Sequence, residues 1–142
     1  MSHKELSAWV MVVSAAVVSA WVAWGLMTGG VAASPREAAL GMLWAVGYSI
    51  LLNIIAVIIG VIGVAIVTRH EVKDERADER DKLVNGMSMR NAYFVLSISV
   101  ALALVAQAFW IEPIALPYVL FFASMLAGTV FAVSQIVYYR LG

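Results

Sequence analysis

Residues 38–68 read AALGMLWAVGYSILLNIIAVIIGVIGVAIVT, and this run decides the fold because it contains no charged side chain. About 20 consecutive apolar residues are enough for a helix to cross the hydrocarbon core of a bilayer. The rest of the chain is similar: 63% of its 142 residues are hydrophobic, 13% are charged, and the mean hydropathy is +0.94. An ordinary soluble domain is about half apolar and about one quarter charged. The sequence therefore predicts an integral membrane protein.

Three further apolar blocks accompany this run, and each is long enough for one crossing. The predicted spans cover approximately residues 7–27, 36–68, 91–111 and 114–139. Only Glu112 and Pro113 separate the last two spans, so these must form an antiparallel hairpin. The predicted fold is all-α, an integral membrane four-helix bundle that forms a single domain over residues 1–142.

The connection between the first two spans contains helix-ending and helix-starting residues. Gly29 and Gly30 predict the end of the first helix. Ser34 is a suitable N-cap and Pro35 fits the first helical position. Glu37 lies three residues after the cap and can complete a capping box. We therefore expect the second helix to begin at Pro35.

The distribution of basic residues predicts the orientation. Nine Lys and Arg balance nine Asp and Glu, so net charge does not recruit nucleic acid, and we predict no nucleic-acid partner. Only Arg36 lies between the first two spans, whereas the basic residues on the other side are Lys4, Arg69, Lys73, Arg76, Arg80, Lys82, Arg90 and Arg140. Because cytoplasmic loops are enriched in Lys and Arg, we expect both termini and segment 69–90 to be cytoplasmic in a bacterial-type inner (plasma) membrane.

The sequence lacks the residues that several classes of function require. No Asp, Glu, Lys, Arg or His lies inside the predicted spans away from their boundaries, and such residues mark intramembrane catalysis and ion coupling. The chain also has no cysteine, which excludes thiolate catalysis, disulfides and Cys-bound metal. The sequence thus predicts no catalytic residue, no cofactor and no metal site. We expect that the protein is not an enzyme.

Small and polar residues within the spans predict helix packing. Asn53, Gln107 and Gln135 lie at three different depths, which favours separate interhelical hydrogen bonds over one shared substrate site. Small residues recur every three or four positions in the second span, a spacing that forms one narrow stripe. The predicted packing residues are Ser49, Asn53, Ala56, Gly60, Gly63, Gln107, Gly128 and Gln135. They pack either within the chain or along a homodimer seam.

The segment between the second and third spans reads RHEVKDERADERDKLVNG at residues 69–86. Its residues tolerate or favour helix, and we expect a cytoplasmic helix that ends at Asn85–Gly86. The sequence Asp-Glu-Arg at 74–76 recurs at 78–80. Residues of the same charge are therefore neighbours on the helix surface at spacing i,i+4, and they repel each other. The helix consequently has one acidic and one basic face and requires external partners.

Three interpretations of this charged helix remain open. It lies along the inner leaflet with its basic face toward anionic headgroups, or it forms a parallel homodimer contact at Val72 and Leu83. In the third interpretation its carboxylates form a docking or cation site, with His70 one turn before Asp74. The lipid bilayer, a second copy of the chain and a cytoplasmic protein are the corresponding partners.

The segment Asp78-Glu79-Arg80-Asp81, followed by Leu83, Val84 and Asn91-Ala92-Tyr93, resembles a family of uncharacterised small four-helix membrane proteins of bacteria and archaea. The recurring feature of that family is an Asp-Glu-Arg-Asp segment before the third span. The resemblance covers about twenty residues and the general hydropathy layout. It implies a cytoplasmic location for residues 78–81 and implies no particular activity.

The function that these observations favour is non-enzymatic. We expect a small inner-membrane protein that forms homo-oligomers, with a dimer favoured, and whose charged helix mediates self-assembly or docks a partner protein in a scaffold or regulatory role. The predicted assembly residues are Val72, Asp74, Glu75, Arg76, Asp78, Glu79, Arg80 and Leu83. The alternative is a channel or facilitator for a small solute or ion, in which Ser49, Asn53 and Gly60 line a path through an oligomer.

Overall fold

The structure is a computed structural model that describes residues 3–68 and 79–141, and these residues form four long α-helices. Helix α1 spans His3–Met27, α2 spans Pro35–Thr68, α3 spans Glu79–Phe109 and α4 spans Leu116–Leu141. A 3-10 turn at Pro113–Ala115 precedes α4. Each helix is long and apolar enough to cross a membrane, which confirms the all-α class and suggests a membrane protein.

Helix α1 ends in a Schellman motif, at the position that the glycine pair predicts. Gly29 adopts a φ of +89°, a left-handed conformation that favours glycine. The Gly30 amide donates to the Gly25 carbonyl at 2.8 Å, and the Gly29 amide donates to the Leu26 carbonyl at 3.4 Å. These two bonds satisfy carbonyl groups that the end of the helix would otherwise leave without partners.

Helix α2 begins as expected, with one difference. The Glu37 amide donates to the Ser34 hydroxyl at 3.2 Å, so Ser34 is the N-cap and Pro35 the first helical residue. The Glu37 carboxylate accepts from the Ala33 amide at 3.1 Å rather than from the Ser34 amide of a standard capping box. The carboxylate therefore reaches one residue further back along the chain and still satisfies a free donor.

Helix α3 begins well before the predicted third span. It is continuous from Glu79 to Phe109, so the helix end predicted at Asn85–Gly86 is wrong. A glycine inside a helix costs about 1 kcal/mol, which packing can offset. Val84 and Ser88, on either side of Gly86, are both buried. The local helix-breaking signal is thus overridden by tertiary contact.

Helix α4 is the centre of the described structure. It packs against each of the other three helices, and its contact with α3 is the most extensive. Helix α1 also packs against α2, whereas α3 packs extensively only against α4. The predicted antiparallel pairing of the last two helices is therefore present. The described part consists of a three-helix group, α1, α2 and α4, with α3 attached to one side of α4.

Two apolar clusters lie within the three-helix group; the first joins α1, α2 and α4, and the second joins α1 and α4. One contains Val18, Val22, Ala45 and Phe121, and the other contains Ala8, Ala132 and Ile136. We call the end of the molecule near the second cluster the charged end, because Arg80 and Arg140 contact α4 and α1 there. We call the opposite end, which carries residues 28–34 and 110–115, the turn end.

Most large apolar side chains point outward. Within the most apolar 18-residue stretch of α2, and likewise of α3, only 6% of the residues are buried inside the structure. Exposed examples are Ile59 on α2 and Phe109 on α3, at 64% and 74% exposure. Apolar surfaces of this size are rare on monomeric soluble proteins, which agrees with the length and composition of the helices.

Candidate functional site

The charged end contains those predicted assembly residues that the structure describes. Glu79, Arg80 and Leu83 lie in the first turns of α3. The other predicted assembly residues lie outside the described residues; they are Val72, Asp74, Glu75, Arg76 and Asp78. His70, which the cation interpretation uses, is outside as well. The opposed acidic and basic faces predicted for segment 69–86 are therefore described only from Glu79 onward.

The first turn of α3 is fastened to the last turn of α4 through Tyr139. The Arg80 guanidinium donates to the Tyr139 carbonyl oxygen at 3.3 Å, and the Tyr139 hydroxyl donates to the Asp81 carboxylate at 2.9 Å. Hydrogen bonds to charged groups are stronger than those between neutral groups. These contacts of Tyr139 were not predicted, because no local sequence pattern pairs the start of one helix with the end of the next.

Leu83 lies on the outer side of α3 at 66% exposure, while its neighbour Val84 is buried at 3%. Adjacent residues on a helix point about 100° apart, so Val84 faces the protein and Leu83 faces outward. Glu79 and Lys82 are exposed as well. The first turns of α3 thus present one apolar and several charged side chains to the surroundings of the chain.

Arg140 brings α1 to the same end of the molecule. Its guanidinium carbon lies 5.9 Å from the centre of the Trp9 ring, a distance suited to a cation–π contact. Such a contact contributes about 0.5–1 kcal/mol at an exposed site. The charged end therefore joins the start of α1, the start of α3 and the end of α4.

Further side-chain hydrogen bonds follow the α3–α4 contact away from the charged end. The Gln135 amide donates to Asn85 Oδ1 at 3.3 Å. The Asn91 amide donates to the Ser134 hydroxyl at 3.2 Å and to the Tyr138 hydroxyl at 3.0 Å. Gln135 was predicted to make an interhelical bond, whereas Asn91 was not singled out because it stands at the boundary of the predicted span.

Two buried oxygens of α3 have no hydrogen-bond partner among the described residues. They are Ser88 Oγ and Gln107 Oε1. The Gln107 oxygen thus lacks the interhelical bond that the sequence analysis expected. Ser88 is completely buried, and its hydroxyl falls on the side of α3 that faces α4.

The predicted packing stripe of α2 is divided between contact and open surface. The Asn53 amide donates to the Ser14 hydroxyl of α1 at 2.9 Å, which is an interhelical bond of the predicted kind. A side chain at Gly60 would meet the Leu6 side chain at 3.2 Å, whereas one at Gly63 would meet nothing within 4 Å. Ala56 is half-buried. Only part of the stripe faces α1.

A cavity of about 390 Å³ lies between α1, α2 and α4. It brings together Ser49, Asn53 and Gly128, which the sequence analysis placed on two separate helices. The complete lining consists of Met11, Ser14, Ala15, Ser49, Ile50, Asn53, Ile54, Ser124, Met125 and Gly128. Asn53 is about 22 Å along α2 from its end at Thr68, so the cavity lies near the middle of the helices.

Gly60 does not line this cavity, because it packs against Leu6 nearer the charged end. The two apolar clusters lie on either side of the cavity along the helices. Within residues 3–68 and 79–141, no group of three or more His, Asp or Glu residues could hold a metal ion.

Comparison with protein-family models, with curated proteins and with solved structures gives no match. The interpretation of both regions, the charged end and the cavity, therefore depends on the residues of this chain alone.

Proposed function

We propose that this protein is a non-enzymatic scaffold of a bacterial-type inner membrane, and that the charged start of α3 mediates its self-assembly or the docking of a cytoplasmic protein. The single observation that carries the proposal is the continuity of α3, which joins charged residues at Glu79–Lys82 to an apolar helix without a break. A partner that binds the charged turns is thereby coupled rigidly to a membrane-length helix.

The attachment of α3 supports this role. Because α3 packs extensively only against α4, much of its surface remains available to a second copy or to lipid. Leu83, Glu79 and Lys82 are exposed beside this surface. Exposed ion pairs contribute about 0–1 kcal/mol each, so we expect the charges to set orientation and selectivity, with apolar contact at Leu83 adding affinity.

The basic residues support a cytoplasmic position for the charged end. Arg80, Lys82 and Arg140 lie in the terminal helix turns of that end and Arg90 lies on the same half of α3, whereas Arg36 lies at the turn end. Cytoplasmic loops are enriched in Lys and Arg near the ends of membrane helices. Both termini would then be cytoplasmic. A reporter fused after Leu141 should be active only when it functions in the cytoplasm.

Single-cysteine crosslinking tests the assembly contact, because the chain contains no cysteine of its own. Leu83→Cys should give a disulfide-linked dimer in native membranes. Met89→Cys is the matched control, since Met89 is also exposed, at 58%, and lies about 120° around the same helix. Equal crosslinking at both positions, or none at Leu83→Cys in intact protein, contradicts the dimer contact.

The alternative function, a channel or facilitator, requires a polar path along the helices. Within one chain, the apolar clusters around Phe121 and Ala132 flank the Ser49–Asn53 layer on both sides, and this arrangement favours the scaffold. A liposome assay separates the two functions. Solute uptake that depends on the protein and is abolished by Asn53→Leu would overturn the scaffold proposal.

A further inference from the structure

The cavity between α1, α2 and α4 opens sideways and not along the helices. Its α1 residues form a closed floor, since Ser14 and Ala15 are 2% and 7% exposed. Its α2 residues Ile50 and Ile54 are 56% and 52% exposed, and Ser124 of α4 is exposed as well. The opening therefore lies between α2 and α4, on the face that lipid would cover in a membrane.

An apolar groove continues from the cavity toward the turn end. It has a volume of about 390 Å³, lies between α2 and α4, and shares Ser124 with the cavity. Its other lining residues are apolar, among them Met42, Leu43, Leu120 and Phe121. The cavity and the groove together form one elongated site. Its polar groups lie in the cavity, at the end of the site farther from the turn end.

The polar groups of the cavity retain hydrogen-bonding capacity. The Ser14 hydroxyl donates to the Met11 carbonyl at 3.1 Å and accepts from Asn53, so its single hydrogen is already used. The Asn53 amide keeps a second hydrogen, and its carbonyl oxygen has no partner among the described residues. The Ser49 hydroxyl makes no hydrogen bond in that part of the chain either. A ligand could thus donate to Asn53 or accept from Ser49.

The lining excludes charged ligands and extensive water. No residue of the cavity or the groove is ionisable, so a charge at this depth would have no counter-charge and would be costly. Each buried water requires two to four polar partners. Ser124 Oγ already donates to the Phe121 carbonyl at 2.7 Å and can only accept. Together with the free groups of Ser49 and Asn53 it could hold only a few waters, whereas a volume of this size has room for about a dozen.

We propose that this site binds an uncharged, lipid-soluble molecule with one hydroxyl or carbonyl group, of the class of long-chain alcohols and ketones. The polar group bonds to Ser49 and Asn53, and the hydrocarbon part lies in the groove toward the turn end. A phospholipid does not fit, because its ionic headgroup would have to lie at mid-depth. The proposal goes beyond the scaffold function and does not depend on the oligomeric state.

Photoaffinity labelling of the full chain in nanodiscs tests the site. The probe is a diazirine-bearing octanol, compared with a diazirine-bearing octane and a diazirine-bearing octanoate. Labelling of the segments 49–54 and 124–128 by the alcohol should be saturable by excess octanol. Labelling by the octane probe and by the octanoate probe should not be saturable. Absence of saturable labelling by the alcohol overturns the proposal and leaves water or lipid as the occupant.

A steric variant separates the site from general lipid contact. Gly128 lines the cavity, and a Cβ atom added there would meet nothing within 4 Å, so we expect the longer side chain of Gly128→Leu to occupy the cavity. Gly63→Leu is the matched control, because Gly63 is equally unobstructed and lies outside the cavity. Saturable labelling should disappear in Gly128→Leu and persist in Gly63→Leu. If Gly128→Leu does not fold, Gly128→Ala should still reduce the saturable labelling.

A polar variant tests the assignment of the hydrogen bond. Ser49→Ala removes a hydroxyl that bonds to no described residue, so the fold should not depend on it. The half-saturating octanol concentration should rise about fivefold, which corresponds to about 1 kcal/mol at 1.4 kcal/mol per tenfold. An unchanged value for Ser49→Ala, or labelling that persists in Gly128→Leu, contradicts the proposed site.

Discussion

The three-helix group and the α3–α4 pair place their polar contacts at different depths. In the three-helix group, the interhelical bond from Asn53 to Ser14 lies near the middle of the helices, between two apolar clusters. In the α3–α4 pair, the interhelical side-chain bonds gather toward the charged end, where water or headgroups can replace them. The comparison indicates that apolar packing surrounds the polar bond of the three-helix group, whereas α3 adds polar bonds near its start to an extensive packing contact with α4.

This difference fits the separate roles proposed for the two regions. A binding site requires walls that stay in place, and the cavity walls belong to α1, α2 and α4, which the cluster around Phe121 joins. An assembly helix requires a free surface, which α3 offers because it packs extensively only against α4. Loss of apolar packing should therefore affect the three-helix group far more than the outer face of α3.

The largest expected effect is that of Phe121→Ala. Phe121 is 3% exposed within the cluster that joins α1, α2 and α4, so its removal leaves a cavity. The free energy of unfolding should fall by about 3 kcal/mol, measured by denaturant titration in detergent micelles. The control is Phe109→Ala on α3, where the ring is 74% exposed and the change should be small. Equal losses in both variants would contradict the comparison.

The positions of the helices were predicted better than the contacts between them. Hydropathy alone located all four spans, because crossing a bilayer requires only length and apolar character. The end of α1 and the start of α2 were also predicted, since glycine, serine and proline act there through local geometry. The start of α3 was predicted wrongly, because a local glycine signal cannot register the packing of Val84 and Ser88.

The candidate sites were predicted only in part. The predicted packing residues included Ser49, Asn53 and Gly128, but nothing in the sequence states which helices meet, so the cavity itself could not be foreseen. Ser14, the partner of Asn53, was not predicted because it lies on another helix, 39 residues away. The contacts of Tyr139 were not predicted for the same reason, since its partners are 58 and 59 residues away.

Ser88 tests whether the α3–α4 contact contains an unsatisfied polar group. Ser88 Oγ is buried without a partner among the described residues, so Ser88→Ala should raise the free energy of unfolding by about 1 kcal/mol. Ser97→Ala is the control, because Ser97 is exposed on the same helix and its removal should change little. A loss of stability in Ser88→Ala would instead reveal a partner for the hydroxyl.

The smallest expected effects test whether the position of a polar contact along the helices determines how much free energy it contributes. A double-mutant cycle between Asn53→Ala and Ser14→Ala should give a coupling of about 0.6 kcal/mol, the average for interhelical bonds in membrane proteins. The same cycle between Asn85→Ala and Gln135→Ala should give a coupling near zero, because that contact is exposed and 3.3 Å long. The order of the two coupling energies, and not their absolute values, is the decisive result. If the Asn85–Gln135 coupling equals or exceeds that of Asn53–Ser14, water does not compete effectively at the charged end, and depth does not determine the strength of these bonds.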